Sequence, residues 1–176
     1  MARRSIAWLL AVIAPAVMAD TLMGRVTAVT GGDTLKIVDG RSHVQFTVRI
    51  AGIEAPGHSH RFGGRAQQNL GALASGREVR VESKAAVRGD ALFAKVMVAA
   101  AGCHVPSCPR EVDVGLEQVK AGLAWWAPHS AGTWTTEEIG NYQQAEFQAK
   151  IHRLGLWAGR DTFPPWQTRP IGPASR

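Results

Sequence analysis

The 176-residue sequence predicts an α+β fold, mainly β: a small closed barrel of five strands carrying three helices. Three observations carry that expectation. Short apolar segments alternating with period two recur through the first hundred residues. Turn signals separate them at close spacing: Gly31-Gly32, Asp39-Gly40 and Arg88-Gly89-Asp90. Apolar residues at helical spacing occur between the third and fourth strands and again after the fifth. A five-stranded Greek-key barrel of this kind is of the OB type, and such barrels often bind oligonucleotides.

The elements follow in order. Residues 23–30 form the first strand, with Val26 and Ala28 on one face. Gly31-Gly32 turns the chain into a second strand, Thr34 to Val38, which Asp39-Gly40 ends. His43 to Ile50 is the third, with Val44, Phe46, Val48 and Ile50 on one side and His43, Gln45, Thr47 and Arg49 on the other. Arg49 therefore faces solvent or a polar site. Phe62 to Leu73 reads as a helix, with Ala66, Leu70 and Leu73 in phase and Gly76 as its stop. Arg77 to Glu82 and Leu92 to Val98 are the fourth and fifth strands. Val114 to Ala121 and Glu137 to Leu154 are the remaining helices, the latter closed by Gly155. One domain spans 20–160, and a Pro-rich tail spans 161–176.

Residues 1–19 read as a signal peptide. Arg3 and Arg4 form a positive start, Ile6 to Val17 is an apolar run short for a bilayer, and a cut falls at Ala19/Asp20. An N-terminal membrane anchor is the alternative. Export implies a periplasmic or secreted protein in an oxidising compartment, where Cys103 and Cys108 would form a short disulfide loop. A metal site with His104 is the alternative, at a spacing wider than the usual knuckle. The chain carries +6 with a pI near 10.0; without residues 1–19 it keeps 18 basic and 14 acidic residues, or +4. A basic exported protein is drawn to polyanions, nucleic acid first, although charge alone also serves solubility. With 45% hydrophobic residues, the composition excludes the disordered class.

Chemistry concentrates in Gly31–Gly57. Asp33, Arg49 and Glu54 sit at ends of predicted strands, a set that a metal ion and a phosphate could share. The order Val29-Thr30-Gly31-Gly32-Asp33-Thr34-Leu35, then Val48-Arg49-Ile50-Ala51-Gly52-Ile53-Glu54-Ala55-Pro56, resembles the staphylococcal-nuclease-like (thermonuclease) family. The resemblance continues through Phe62-Gly63-Gly64-Arg65-Ala66, Gly76-Arg77-Glu78-Val79-Arg80-Val81, Gly122-Leu123-Ala124-Trp125-Trp126 and Gly155-Leu156-Trp157. It covers nearly all of 23–158.

The resemblance implies an OB barrel with three helices and a secreted, calcium-dependent phosphodiesterase acting on DNA and RNA. By position, Asp33, Glu54 and the Ala55 carbonyl match the calcium ligands, with Glu54 where the family usually has Asp. Arg49 matches the first catalytic arginine. Gly57 stands where the family has its general-base glutamate, Ala91 where it has its second arginine, and Gly31 where an acidic residue is common. His58 and His60 could replace the base, and Arg88 could swing toward the phosphate. Arg77, Arg80, Lys84 and Arg88 could track a nucleic-acid backbone or form an ordinary basic strand face. Trp126 could stack a base or pack the core. The expectation is a monomeric, impaired nuclease, or alternatively a nucleic-acid-binding module without useful catalysis.

Overall fold

In a computed structural model of the chain, the described residues are 21–83, 91–103, 105, 107–130, 132–159 and 164. Residues 1–19, expected to be a signal peptide, together with Lys84, Arg88, His104 and all of the C-terminal tail but Pro164, lie outside them.

The elements are β1 (Thr21–Val29), β2 (Thr34–Asp39), β3 (Gln45–Ile50), β4 (Ile53–Glu54), α1 (Gly63–Ala74), β5 (Glu78–Ser83), β6 (Ala91–Ala99), β7 (Arg110–Asp113), α2 (Val114–Lys120), β8 (Trp125–Trp126) and α3 (Thr136–Ile151). The sheet runs β3-β2-β1-β5-β6-β7 and closes by pairing β3 with β6. That closure is parallel, from Thr47↔Ala91 to Ile50↔Ala94, while the other ladders are antiparallel. β6 is long enough to pair β3 at its start, β5 in its middle and β7 at its end. The result is the expected α+β architecture: a closed five-stranded barrel with three helices, consistent with the OB type.

Period-two alternation decides what fills the barrel. Leu35 and Ile37 of β2, Val48 and Ile50 of β3, Val79 and Val81 of β5 are at most 1% exposed. Each such side chain contributes about 1.5–3 kcal/mol on leaving water. α1 adds Ala66, Leu70 and Ala74, one helical face at spacing four. α3 starts in a capping box in which Thr135 and Glu138 satisfy each other's backbone N–H.

A buried charged knot ties the helices to the barrel. Lys95 of β6 bridges Asp113 at 3.3 Å and Glu138 at 3.0 Å, and the Tyr142 hydroxyl donates to Asp113 at 2.9 Å. The other Asp113 oxygen caps α2, accepting from the Gly115 and Leu116 N–H groups. Burial alone would lower the Lys95 pKa; Asp113 and Glu138 outweigh it and hold it above the ordinary lysine range. Burial, then Asp113, raises Tyr142 well above the ordinary tyrosine value.

The structure differs from the pattern reading in four places. Val44, expected on the apolar row, is 60% exposed, because the turn after β2 runs on to His43. There the Asp39 carboxylate accepts from Arg41 N, Ser42 N and the Ser42 hydroxyl, and His43 takes φ 57°. β7 and the β4–β8 ribbon are too short to show periodicity, so alternation could not find them. α3 ends at Ile151 rather than 154, since Arg153 turns left-handed at φ 52°. Trp134, for which periodicity gives no place, packs edge-on against Trp126 with ring centroids 5.0 Å apart.

Candidate active site

One end of the barrel gathers the acidic and basic residues singled out above. The turn between β1 and β2 is anchored by the Thr30 N–H to the Thr34 carbonyl, at 3.0 Å. Asp33 sits at its exit. The Asp33 carbonyl accepts from Ile50 N–H at 2.8 Å, which joins the turn to the end of β3. Thr34 pairs with Arg49 across the ladder, so both strands deliver their polar side chains to one spot.

The contacts are short. Arg49 Nη2 lies 3.2 Å from Asp33 Oδ2. The same oxygen accepts from Ala55 N–H at 3.4 Å, and Asp33 Oδ1 accepts from the Thr34 hydroxyl at 2.7 Å. The Ala55 contact sets the Asp33 carboxylate beside the Glu54–Ala55 peptide at the end of β4. β4 is held there by pairing Glu54 with Trp125 and Ile53 with Trp126. The Glu54 side chain forms no hydrogen bond or ion pair among the described residues. The Asp33 side chain is 13% exposed, whereas Arg49 is 43% exposed. The acid is therefore fixed, while the arginine keeps most of its donors free for an anion.

Asp33, Glu54 and the Ala55 carbonyl offer hard oxygen donors, the kind that calcium or magnesium takes. Among the described residues, no group of three or more His, Cys, Asp or Glu could hold a metal ion. Two carboxylates plus a carbonyl are, by their chemistry, donors that suit a hard cation whose shell is completed by water or phosphate. The contacts seen at the Asp33 carboxylate are with Arg49, the Thr34 hydroxyl and the Ala55 N–H.

The expected departures are visible in space. A Cβ at Gly57 would meet nothing within 4 Å. Ala91 is 6% exposed and registers with Thr47, one pleat from the Arg49–Phe93 pair, so Ala91 and Phe93 share the face that carries Arg49. Phe93, which the sequence reading passed over, lies 5.5 Å beneath the Arg49 guanidinium.

His58 and His60 part company. His58 Nε2 lies 3.0 Å from the Thr30 carbonyl. A carbonyl only accepts, so Nε2 carries the hydrogen and Nδ1 of the neutral ring is left as the acceptor. His58 thus stands on the shoulder of the turn that carries Asp33. His60 Nδ1 instead accepts from Phe62 N–H at 3.2 Å, and its ring sits edge-on to Trp125. It belongs to the start of α1.

Two residues expected at a nucleic-acid surface belong to the framework instead. Arg77 donates to the Leu73 and Ala99 carbonyls, tying α1 to the end of β6. Ala99 is six residues along β6 from Phe93, about 20 Å from Arg49. Trp126 is 8% exposed and stacks on Tyr142 with centroids 4.4 Å apart, because β8 pairs it inward against β4. Arg80 pairs with Glu82 at 3.0 Å. Lys84 and Arg88 lie outside the described residues. Arg61 and Arg65 are exposed, and their guanidinium groups lie 4.6 and 5.6 Å from the Phe62 ring centroid, where α1 packs on the acidic turn. A basic residue one position from Ala66 was the available signal. Cys103 and Cys108 are bonded, with Cα atoms 5.9 Å apart.

The class of protein defined by the structure is a closed OB-type barrel with acidic and basic side chains meeting at one end. The sequence profile described as Staphylococcal nuclease homologue matches residues 47–159. Protein ParB of Escherichia coli is 31% identical over 175 residues, covering 96% of this chain and 94% of that protein. The Micrococcal nuclease of Shigella flexneri is 30% identical over 147 residues, covering 83% and 79%. An uncharacterized endonuclease of Haemophilus influenzae is 29% identical over 145 residues, covering 82% and 71%. The chain belongs to the staphylococcal nuclease homologue family.

Proposed function

We propose that this protein hydrolyses phosphodiester bonds in DNA or RNA, dependent on a divalent cation, calcium first, at a rate held low by Gly57 and Ala91. The observation that carries the proposal is the convergence of Arg49 and the Ala55 N–H on the Asp33 carboxylate, both within hydrogen-bonding distance of Oδ2. The names micrococcal nuclease and endonuclease among its relatives support a nucleic-acid substrate.

Asp33, Glu54 and the Ala55 carbonyl would hold the cation. A cation there supplies Lewis-acid polarisation of a phosphate oxygen and of water. Arg49 binds the phosphate and stabilises charge that grows in the transition state, releasing part of its contact with Asp33 to do so. Glu54 is one methylene longer than aspartate, which tolerates flexible calcium geometry better than strict magnesium geometry. His58, whose Nε2 is held at the Thr30 carbonyl, is offered as the base. Arg61 and Arg65 are offered as the backbone-tracking cations in place of Arg77. One chain supplies the whole set, so the proposal needs only a monomer. Export to the periplasm or medium is part of the proposal, supported by the signal-peptide pattern of residues 1–19 and the Cys103–Cys108 disulfide.

A binding-only role is the second reading, and Gly57 and Ala91 favour it. Residues 20–176 incubated with plasmid and with RNA, in calcium or chelator, separate the two. Chelator-sensitive cleavage removes the binding-only reading. Retention of nucleic acid without cleavage removes the catalytic one.

A further inference from the structure

We infer that Gln118 is a positioning residue for the acidic turn: its buried amide fixes the peptide that carries Asp33 and thereby sets divalent-cation affinity. The inference rests on the cation reading of Asp33 and deepens it. Gln118 lies in α2 with no exposed surface; among the described residues it and Asp113 are the buried polar or charged side chains. Its helix neighbours Val114 and Val119 are apolar and equally buried. An apolar residue would fill the position without desolvating an amide, so the amide needs a reason.

That reason is the acidic turn. Gln118 Nε2 donates to the Gly32 carbonyl at 2.6 Å and to the Ala66 carbonyl at 2.9 Å. Its Oε1 accepts from Asn69 Nδ2 at 2.5 Å. Two carbonyl acceptors leave no ambiguity about which end of the amide faces them. Among the described residues, Gln118 is the one donor to the Gly32 carbonyl. The Gly32 carbonyl and the Asp33 N–H belong to a single planar peptide. Holding it from Gln118, while Ile50 N–H holds the Asp33 carbonyl, fixes the Asp33 backbone from both sides. Gly32 itself has no freedom: a Cβ there would stand 2.6 Å from both Ala55 Cβ and Ala66 Cβ. One amide therefore locks Asp33, the Ala55 segment and α1 in register. Residues that orient a ligating carboxylate usually tune affinity about tenfold to hundredfold.

The test titrates calcium calorimetrically into the full mature chain and into Gln118→Met, each shown folded by circular dichroism at the working temperature. The expected result is a Kd about tenfold to hundredfold higher in the variant. Val119→Ala, in the same helix, removes core packing without touching Gly32; it should lower the thermal midpoint and keep wild-type affinity. Unchanged affinity in Gln118→Met overturns the inference, as does equal weakening in Val119→Ala. If Gln118→Met does not fold, Asn69→Ala takes its place. It removes only the donor that orients the Gln118 oxygen, and wild-type affinity there overturns the inference equally. A wild type that binds no calcium overturns the cation reading and this inference together. Wild-type binding with unchanged affinity in the variant overturns this inference alone.

Discussion

On the proposed function, Gly57→Glu should raise the rate of phosphodiester cleavage markedly. The structure makes the substitution clean. A Cβ at position 57 meets no atom within 4 Å, and Gly57 is not among the left-handed glycines, so neither contact nor backbone strain opposes a side chain. The position lies between the Ala55 contact with Asp33 and His58 on the turn's shoulder, so a carboxylate there is introduced beside the acidic site. A positioned general base contributes about 10²–10⁴-fold. With Ala91 still lacking its guanidinium, the lower end, about 10²-fold, is expected, equivalent to about 2.7 kcal/mol of barrier. The assay is the initial rate of plasmid nicking in calcium, with Gly57→Gln as an isosteric control that cannot take a proton. A Gly57→Glu rate no higher than that of Gly57→Gln would refute the reasoning, because the gain must come from the ionised carboxylate.

Other outcomes follow from the same geometry. His58→Ala should slow the wild type but leave Gly57→Glu nearly unaffected, since two bases serving one step are not additive; equal effects in both backgrounds would show a purely structural histidine. Arg49→Lys keeps the charge but loses the planar fork, and kcat should fall about 10²–10³-fold while Tm barely moves. Tyr142→Phe removes the hydroxyl that donates to buried Asp113, and urea unfolding should show a loss of about 1.5–3 kcal/mol. Lys95 and Tyr142 both have raised pKa values in the folded state. Their contribution is therefore complete below about pH 10 and lost as pH rises beyond it, so the share of unfolding free energy that these two groups supply should fall on the alkaline side, and less steeply in Tyr142→Phe.

Much of the architecture could be read from the sequence because it rests on local rules. Alternation placed the five barrel strands, and Asp33, Arg49 and Glu54 lie at strand ends where a motif of short, ordered pieces survives. What stayed hidden depends on distant residues. β7 and the β4–β8 ribbon carry too few residues for a period. Arg77 read as a surface cation, but its guanidinium is spent on two carbonyls that only tertiary folding brings to it. Trp126 read as either a stacking face or core, and the pairing of β8 with β4 turns it onto Tyr142. Gln118 gave no signal at all, since its partners Gly32 and Ala66 are 86 and 52 residues away. Phe93 was hidden for the same reason: its neighbour Arg49 arrives by the parallel closure of β3 on β6, which no local pattern announces.

The central claim is that Asp33, Glu54 and Arg49 form a cation-dependent phosphodiesterase site. Its most direct test is cleavage of plasmid and RNA by purified residues 20–176 in calcium, compared with chelator and with Asp33→Asn prepared identically. Slow cleavage that chelator abolishes and Asp33→Asn lacks is the expected result. Cleavage that persists in chelator or in Asp33→Asn, or no cleavage by the wild type at any calcium concentration, would contradict it.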